Sequence, residues 1–107
     1  MAGIFIAIRN QNDNALTSID GIAFIALLGQ DGRIISQQTV DLRFADAAFD
    51  NLPIGNYTAM VRHERVEPQE STYEVELTQE SELLQVTFVY LEPERVLLRV
   101  RTRLERM

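Results

Sequence analysis

Apolar and polar residues alternate along most of this chain, in runs of six to ten residues that end at glycine, proline, asparagine or aspartate. The runs are rich in β-branched and aromatic side chains, which favours strands over helices. Turn signals recur at intervals of about ten residues, a spacing typical of a sandwich or barrel. The pattern therefore predicts an all-β fold, an antiparallel sandwich of seven to eight strands. The predicted strands are Gly3–Arg9, Gly21–Gly29, Arg33–Val40, Leu42–Phe49, Tyr57–His63, Thr72–Leu77, Leu83–Leu91 and Arg95–Leu104.

The alternation also predicts how the last three strands pair, because a one-residue slip would reverse every side chain of a half-buried strand. Hairpins about Pro93 and about Gln79-Glu80 bring apolar residues together on one inner face. The predicted partners are Val96 with Tyr90, Leu98 with Phe88, Val100 with Val86, Val75 with Leu84, and Tyr73 with Val86. The alternative is that one of these two connections crosses between the sheets instead of closing a hairpin.

The same register predicts a mixed outer face on these strands, where a column of arginines stands beside apolar side chains. Such a face is either an ordinary solvated surface or a protein contact, since apolar patches rimmed by charge often mark contact sites. The candidate contact residues are Leu83, Val89, Leu91, Leu97, Arg99, Arg101 and Arg103. The protein partner would include a second copy of the chain, as in a homodimer.

Charge is unevenly distributed along the 107 residues, which we expect to form a single domain spanning 1–107. The formal net charge is −6, with −10 on residues 1–94 and +4 on residues 95–107. All ten basic residues are arginines, and the chain has neither lysine nor cysteine. Nucleic-acid binding depends on cationic side chains, so the acidic balance argues against it.

No apolar run is long enough for a membrane helix, and the opening run Gly3–Ile8 is too short for a signal peptide. We therefore expect a cytoplasmic protein that does not associate with a membrane.

The segment Phe49–Ala59 has the sequence F-D-N-L-P-I-G-N-Y-T-A. It resembles the F-x-N-L-P-x-G-x-Y stretch of carboxypeptidase regulatory-like and Cna protein B-type domains. The resemblance implies a prealbumin-like (transthyretin-like) Greek-key sandwich, of the general immunoglobulin-like kind, with Phe49 and Leu52 at one end of the core. It also implies a binding, spacer or assembly role. Cna-type isopeptide bonds need a lysine, which this chain lacks.

The inventory of catalytic side chains is small. His63 is the only histidine, and its neighbours Glu64 and Arg65 complete no metal-ligand spacing, so we expect a surface residue at a loop edge. The chain contains none of the phosphate-binding, zinc-protease or serine-hydrolase motifs. We therefore expect no enzymatic activity, no catalytic residue, no cofactor and no metal.

Strands that run up and down would place the connections 10–19, 41–46, 64–70 and 92–94 at one end of the sandwich. These connections carry eight acidic residues against two arginines. Loop carboxylates are typical ligands for hard cations, although no calcium-loop pattern is complete here. The principal hypothesis is thus a non-enzymatic β-sandwich that acts through protein–protein contact or as an assembly subunit. The alternative is a small-molecule, carbohydrate or cation-binding module that uses the acidic loop end.

Overall fold

The computed structural model describes residues 2–106, with side chains up to residue 105. The described residues form eight strands and no helix, which confirms the all-β prediction. The strands are β1 (Ala2–Asn10), β2 (Ile22–Leu28), β3 (Ile34–Asp41), β4 (Asp46–Leu52), β5 (Gly55–Arg62), β6 (Glu70–Leu77), β7 (Glu82–Leu91) and β8 (Val96–Arg106).

Two four-stranded sheets make up this part of the chain. Sheet 1 has the order β4-β1-β7-β8, and sheet 2 has the order β3-β2-β5-β6. All neighbouring strands are antiparallel except β1 and β7, which run parallel. The chain enters sheet 2 at β2, returns to sheet 1 at β4, and changes sheet twice more before β8.

The core lies between the two sheets and consists mainly of inward-pointing alternate residues of the strands, with loop residues such as Leu16 and Leu42 packed beside them. Ile4, Ile6, Val86 and Phe88 of sheet 1 and Ile25 of sheet 2 have no exposed surface. Each such side chain contributes about 1.5–3 kcal/mol through its removal from water. The alternation that is visible in the sequence is therefore what selects the inner face of each strand.

The predicted hairpin between the sixth and seventh strands is wrong. β6 pairs with β5 in sheet 2, whereas β7 pairs with β1 and β8 in sheet 1. The connection crosses between the sheets, so Val75 does not pair with Leu84, nor Tyr73 with Val86. Tyr73 points to the inner side of an edge strand, and 39% of its surface stays exposed.

The predicted register of the last hairpin is also wrong, because a β-bulge shifts it. Phe88 pairs with Val100, two residues from the prediction, and Tyr90 pairs with Leu97. Leu98 is the extra residue of the bulge. An extra residue reverses the side chains that precede it, so Leu97 packs against the core while Val96 and Leu98 are exposed.

The turn before β5 has the packing that the resemblance implied. Phe49 is buried, Leu52 packs against the core, and Tyr57 is 6% exposed. The Tyr57 hydroxyl donates a hydrogen bond to the Pro53 carbonyl at 2.5 Å. Gly55 has a φ of +150°, which favours glycine over residues with a β-carbon.

The fourth strand begins four residues later than predicted. Leu42 and Ala45 are buried, but they lie in a bend and not in β4. Phe44, at the bend, has a φ of +52° and an exposed ring. Burial of these apolar residues thus reflects packing of a loop, which the alternation does not distinguish from a strand.

Candidate functional site

The three candidate arginines lie side by side on the outer face of sheet 1. Arg99, Arg101 and Arg103 of β8 stand opposite Val89, Thr87 and Gln85 of β7. The prediction that they share the outer face is confirmed, although each partner is two residues from the predicted one. Successive outward residues on a strand are about 6–7 Å apart, so the three guanidinium groups form a short cationic row.

The row is partly neutralised by neighbouring carboxylates. The Nη2 atom of Arg101 lies 2.7 Å from Oδ1 of Asp13, and Nε of Arg103 lies 3.5 Å from Oε1 of Glu105. All four side chains are more than a third exposed, so each pair contributes at most about 1 kcal/mol. Within residues 2–105, no ion pair involves Arg99. An acidic ligand can therefore bind the guanidinium of Arg99 directly, and it can replace Asp13 or Glu105 as the partner of Arg101 or Arg103 at low cost.

An open depression of about 470 Å³ lies against this row. Its walls include Arg101 and Arg103, the polar side chains of Gln85 and Thr87, and the carboxylate of Asp13, which an incoming carboxylate would displace from Arg101. Guanidinium groups bind carboxylates through paired, charge-assisted hydrogen bonds. The depression thus has the chemistry to accept a carboxylate side chain from another molecule.

The four apolar candidates do not share one environment. Leu83 and Leu91 are half-buried on the outer face beside the arginines. Val89 has only 1% of its surface exposed, so the prediction that it is an accessible contact residue is wrong. The prediction for Leu97 is also wrong, because the β8 bulge turns its side chain towards the core. We use the term arginine surface for Leu83, Leu91, Arg99, Arg101 and Arg103.

Val96 and Leu98 were missed by sequence reasoning and belong near this surface. They are 44% and 45% exposed, and Val96 pairs with Leu91 on the outer face. The alternation indicated an inward position for both. Only the bulge at Leu98 exposes them, and nothing in the local residue pattern indicates a bulge there.

The four connections predicted to share one end do lie together. Glu92, after β7, accepts hydrogen bonds at its carboxylate from the backbone N–H groups of Thr17 and Ser18, the Ser18 hydroxyl and the Asn10 amide. The backbone of Glu67 bonds to that of Arg95 at 2.8 Å. This end of the molecule is therefore held together by polar contacts that link distant loops.

Glu92 is a structural carboxylate and not an available ligand. Desolvation by partial burial raises its pKa, but the hydrogen bonds from Ser18, Thr17 and Asn10 outweigh burial, so the pKa lies below its ordinary value near 4.5. Sequence reasoning counted Glu92 among the free loop acids. The donors lie 74 to 82 residues away in the sequence, so no local signal indicated them.

His63 does not lie at the surface, contrary to expectation. It is 7% exposed, and its Nδ1 accepts a hydrogen bond from the backbone N–H of Arg65 at 3.0 Å. Its Nε2 faces Gly21, where an added β-carbon would lie 3.6 Å away. The side chain is thus a packed loop histidine that organises the turn after β5.

The acidic loop end does not assemble a cation site in the described part of the chain. Residues 2–105 contain no group of three or more histidine, aspartate or glutamate side chains that could hold a metal ion. Asp46 pairs with Arg9 at 3.6 Å, and Asp41 accepts the backbone N–H of Arg43. An open groove of about 950 Å³ remains between residues 10–21 and 41–44, with the exposed Phe44 in its wall.

Comparison of the chain with protein-family models, with curated proteins and with solved structures finds no match. The described residues contain no helix of the length and apolarity that a bilayer crossing requires.

Proposed function

We propose that this protein is a non-enzymatic β-sandwich module that makes a protein–protein contact through its arginine surface. The observation that carries the proposal is the row of Arg99, Arg101 and Arg103 beside an open depression on an otherwise acidic molecule. A net charge of −6 repels acidic partners at long range. The local row would therefore set where such a partner docks and how it is oriented.

The partner that fits this surface is a protein segment with two or three exposed carboxylates. Each guanidinium offers a planar pair of donors, and the half-buried Leu83 and Leu91 offer apolar area beside it. The packing of His63 against the loop backbone supports the non-enzymatic part, because the only imidazole already uses Nδ1 as an acceptor.

We also propose that the fold is a prealbumin-like Greek-key sandwich related to carboxypeptidase regulatory-like or Cna protein B-type domains. The strand order supports it, since β1 lies beside β4 while the intervening β2 and β3 belong to the other sheet. Returns of this kind are typical of Greek-key sandwiches. The buried Phe49 and Tyr57 at the resembling segment are further support.

The test is binding of a fluorescein-labelled ten-residue oligoglutamate, followed by anisotropy from low to physiological salt. The variant is R99E/R101E/R103E, and the matched control is R33E/R43E/R65E, which changes three exposed arginines elsewhere and has the same net charge. We expect at least tenfold weaker binding for the first triple variant than for the second, and weaker wild-type binding as salt rises. Equal affinities for the two triple variants would refute the arginine surface as the contact.

The groove beside Phe44 favours a second candidate function, a small-molecule or carbohydrate site at the loop end. Arg9 lies 5.3 Å from the Phe44 ring centre, so the exposed ring is held in place. Thermal melting with millimolar glucose, galactose or calcium chloride tests it, with F44S as the control. A ligand-induced rise in melting temperature that F44S loses supports the site, and unchanged midpoints with all three count against it.

A further inference from the structure

The sandwich is closed along one side and open along the other. Along the closed side β4 lies against β3, and the Gln38 amide donates a hydrogen bond to the Ala48 carbonyl at 3.3 Å. The opposite side ends in β6 and β8, the last strands of the two sheets. Glu67 bridges to Val96 where these two strands begin. Beyond that point, no hydrogen bond joins β6 to β8 within residues 2–105.

Inward-pointing apolar residues stay exposed along this open side. Tyr73 of β6 pairs with the core residue Ala59, so its side chain points inward. Leu104 of β8 likewise pairs with the core residue Leu84. The inner faces of a sandwich normally cover one another, yet Tyr73 is 39% exposed and Leu104 is 48% exposed. The open side therefore leaves apolar surface of the core uncovered.

Two charged columns of opposite sign border the opening. The arginine row, Arg99, Arg101 and Arg103 of β8, points outward from sheet 1. A glutamate column on β6 points outward from sheet 2 and consists of Glu70, Glu74 and Glu76, all exposed. Both columns use alternate positions of a strand, which are about 6–7 Å apart. The chain thus carries its own segment with exposed carboxylates at the spacing of the arginines.

We infer that two copies of this chain form a dimer in which β6 of each copy pairs with β8 of the other. The twofold axis runs along the strands, midway between the sheets. This inference rests on the proposed function, because it names β6 of a second copy as the acidic partner of the arginine surface. Rotation about this axis brings the two open sides together and joins sheet 1 of each copy to sheet 2 of the other. A twofold contact uses the same patch on both copies, so each match occurs twice.

The directions and lengths of the two strands fit this pairing. Both begin at the Glu67–Val96 bridge and run the same way, so β6 and β8 pair in parallel. The backbone N–H of Leu97 donates to the Glu67 carbonyl at 2.7 Å, so the free edge of β8 begins at residue 98. Residues 98–105 match the eight residues of β6 in length. Rotation about an axis along the strands shifts neither strand along its length, so the fold itself sets the register.

Charge selects this dimer over the other twofold arrangement of the open sides. An axis perpendicular to the sheets would pair β8 with β8 and β6 with β6. The arginine row would then lie beside its own counterpart, and so would the glutamate column. Like charges on neighbouring strands are unfavourable, whereas opposite charges are favourable. In the inferred dimer, arginines lie beside glutamates on both outer faces, and Tyr73 and Leu104 of both copies close over a shared core.

The glutamates are available for this contact. Glu70 lies 3.9 Å from Arg62, and both side chains are more than half exposed, so the pair is weak and its exchange costs little. Glu74 takes part in no ion pair within residues 2–105. Glu76 lies towards the end of β8 that carries Glu105 and adds no attraction. The attraction therefore comes from Glu70 and Glu74 beside the arginine row.

The first experiment is sedimentation velocity from about 5 to 500 µM, because the dimer fraction follows mass action. We expect the wild type to move from 12.2 kDa towards twice that mass as concentration rises. R99E/R103E and E70R/E74R each place like charges at the contact, so each should associate at least tenfold more weakly. Their equimolar mixture should restore the dimer, because glutamate then lies beside arginine at both strand pairs.

The matched control for these variants is D20R/D50R. Asp20 and Asp50 are exposed and lie outside β6 and β8, and the control has the same net charge as E70R/E74R. It should dimerise like the wild type. Circular dichroism establishes that each variant is folded.

The second experiment uses the absence of native cysteine. Thr72 points outward on β6 and Arg101 points outward on β8, on strands that are neighbours in the dimer. An equal mixture of T72C and R101C should therefore cross-link with a short bismaleimide, which tolerates a difference of one residue in register. Neither variant should cross-link alone, because each position and its own counterpart lie on opposite outer faces of the dimer.

Three results would overturn the inference. They are a wild type that stays monomeric throughout, a dimer that E70R/E74R leaves unchanged, and cross-linking of R101C alone as strong as that of the mixture. Oligoglutamate anisotropy separates this inference from the proposed function. E70R/E74R keeps the arginine row, so it should bind oligoglutamate at least as well as the wild type. If the wild type binds oligoglutamate through the arginine row but stays monomeric, the dimer is refuted and the arginine surface stands.

Discussion

Substitution of Glu92 by glutamine should detach the loop between β1 and β2 from the end of the sandwich. The carboxylate accepts bonds from the backbone of Thr17 at 3.0 Å and of Ser18 at 2.7 Å, and also from the Ser18 hydroxyl and the Asn10 amide. A glutamine has one oxygen acceptor, so its NH2 group would face a backbone donor. The backbone of Glu92 would keep its bonds with Gln11 at 2.8 and 2.9 Å.

The magnitude follows from the number and exposure of these bonds. Hydrogen bonds to a charged group are worth about 1.5–3 kcal/mol when the partner is buried. Glu92 is half-buried and Ser18 is exposed, so water replaces part of what is lost. We expect a loss of about 1–2 kcal/mol at pH 7. For a chain of this length, an unfolding entropy of about 0.2 kcal/mol/K converts the loss to about 4–9 °C in melting temperature.

The pH dependence provides an independent check. The pKa of Glu92 is lowered in the folded protein, so its contribution is present above the ordinary value near 4.5 and disappears as the pH falls through the shifted pKa. The difference in the free energy of unfolding between the wild type and E92Q should therefore shrink as the pH falls into the acid range. The matched control is E94Q, in the same turn, because within the described residues the Glu94 side chain takes part in no hydrogen bond or ion pair.

The assay is urea denaturation followed by circular dichroism, at pH 7 and at steps down to pH 3. E94Q should match the wild type to within about 0.5 kcal/mol. If E92Q also stays within that range at pH 7, or if its deficit is the same at pH 3, the carboxylate does not hold the loop as argued.

Two further predictions concern the core and the turn before β5. F88A should lower the free energy of unfolding by about 3–5 kcal/mol, because Phe88 is fully buried. I22A should lower it by less than about 0.5 kcal/mol, because Ile22 is 67% exposed. Similar urea midpoints for the two variants would contradict the assigned core. Y57F should cost about 1 kcal/mol through loss of the bond to the Pro53 carbonyl. Burial raises the pKa of Tyr57 above 10, so the wild type should lose stability as the pH rises past 10. Urea melts at pH 8 and 11 measure both effects, and an unchanged Y73F midpoint at pH 8 is the control.

The amino-acid sequence by itself predicted the all-β class, the approximate position of each strand, and the inward residues of β6, β7 and the part of β8 that follows its bulge. Alternation is a local property, because successive side chains of a strand point to opposite faces. The shared end of four loops was predicted from strands that run up and down, whereas the packing of Phe49 and Leu52 was expected only from the resemblance of the segment Phe49–Ala59. The outward position of Arg99, Arg101 and Arg103 followed from the same period.

The sequence correctly predicted that β7 and β8 are neighbours, but only the tertiary structure decided where β6 pairs. Both sheets direct apolar residues inward, so the pattern of β6 fits beside β5 as well as beside β7, and the chain crosses between the sheets there. The bulge at Leu98, which buries Leu97 and exposes Val96, is a backbone feature without a signal in the alternation. Glu92 depends on donors more than 70 residues away, a distance at which local patterns carry no information.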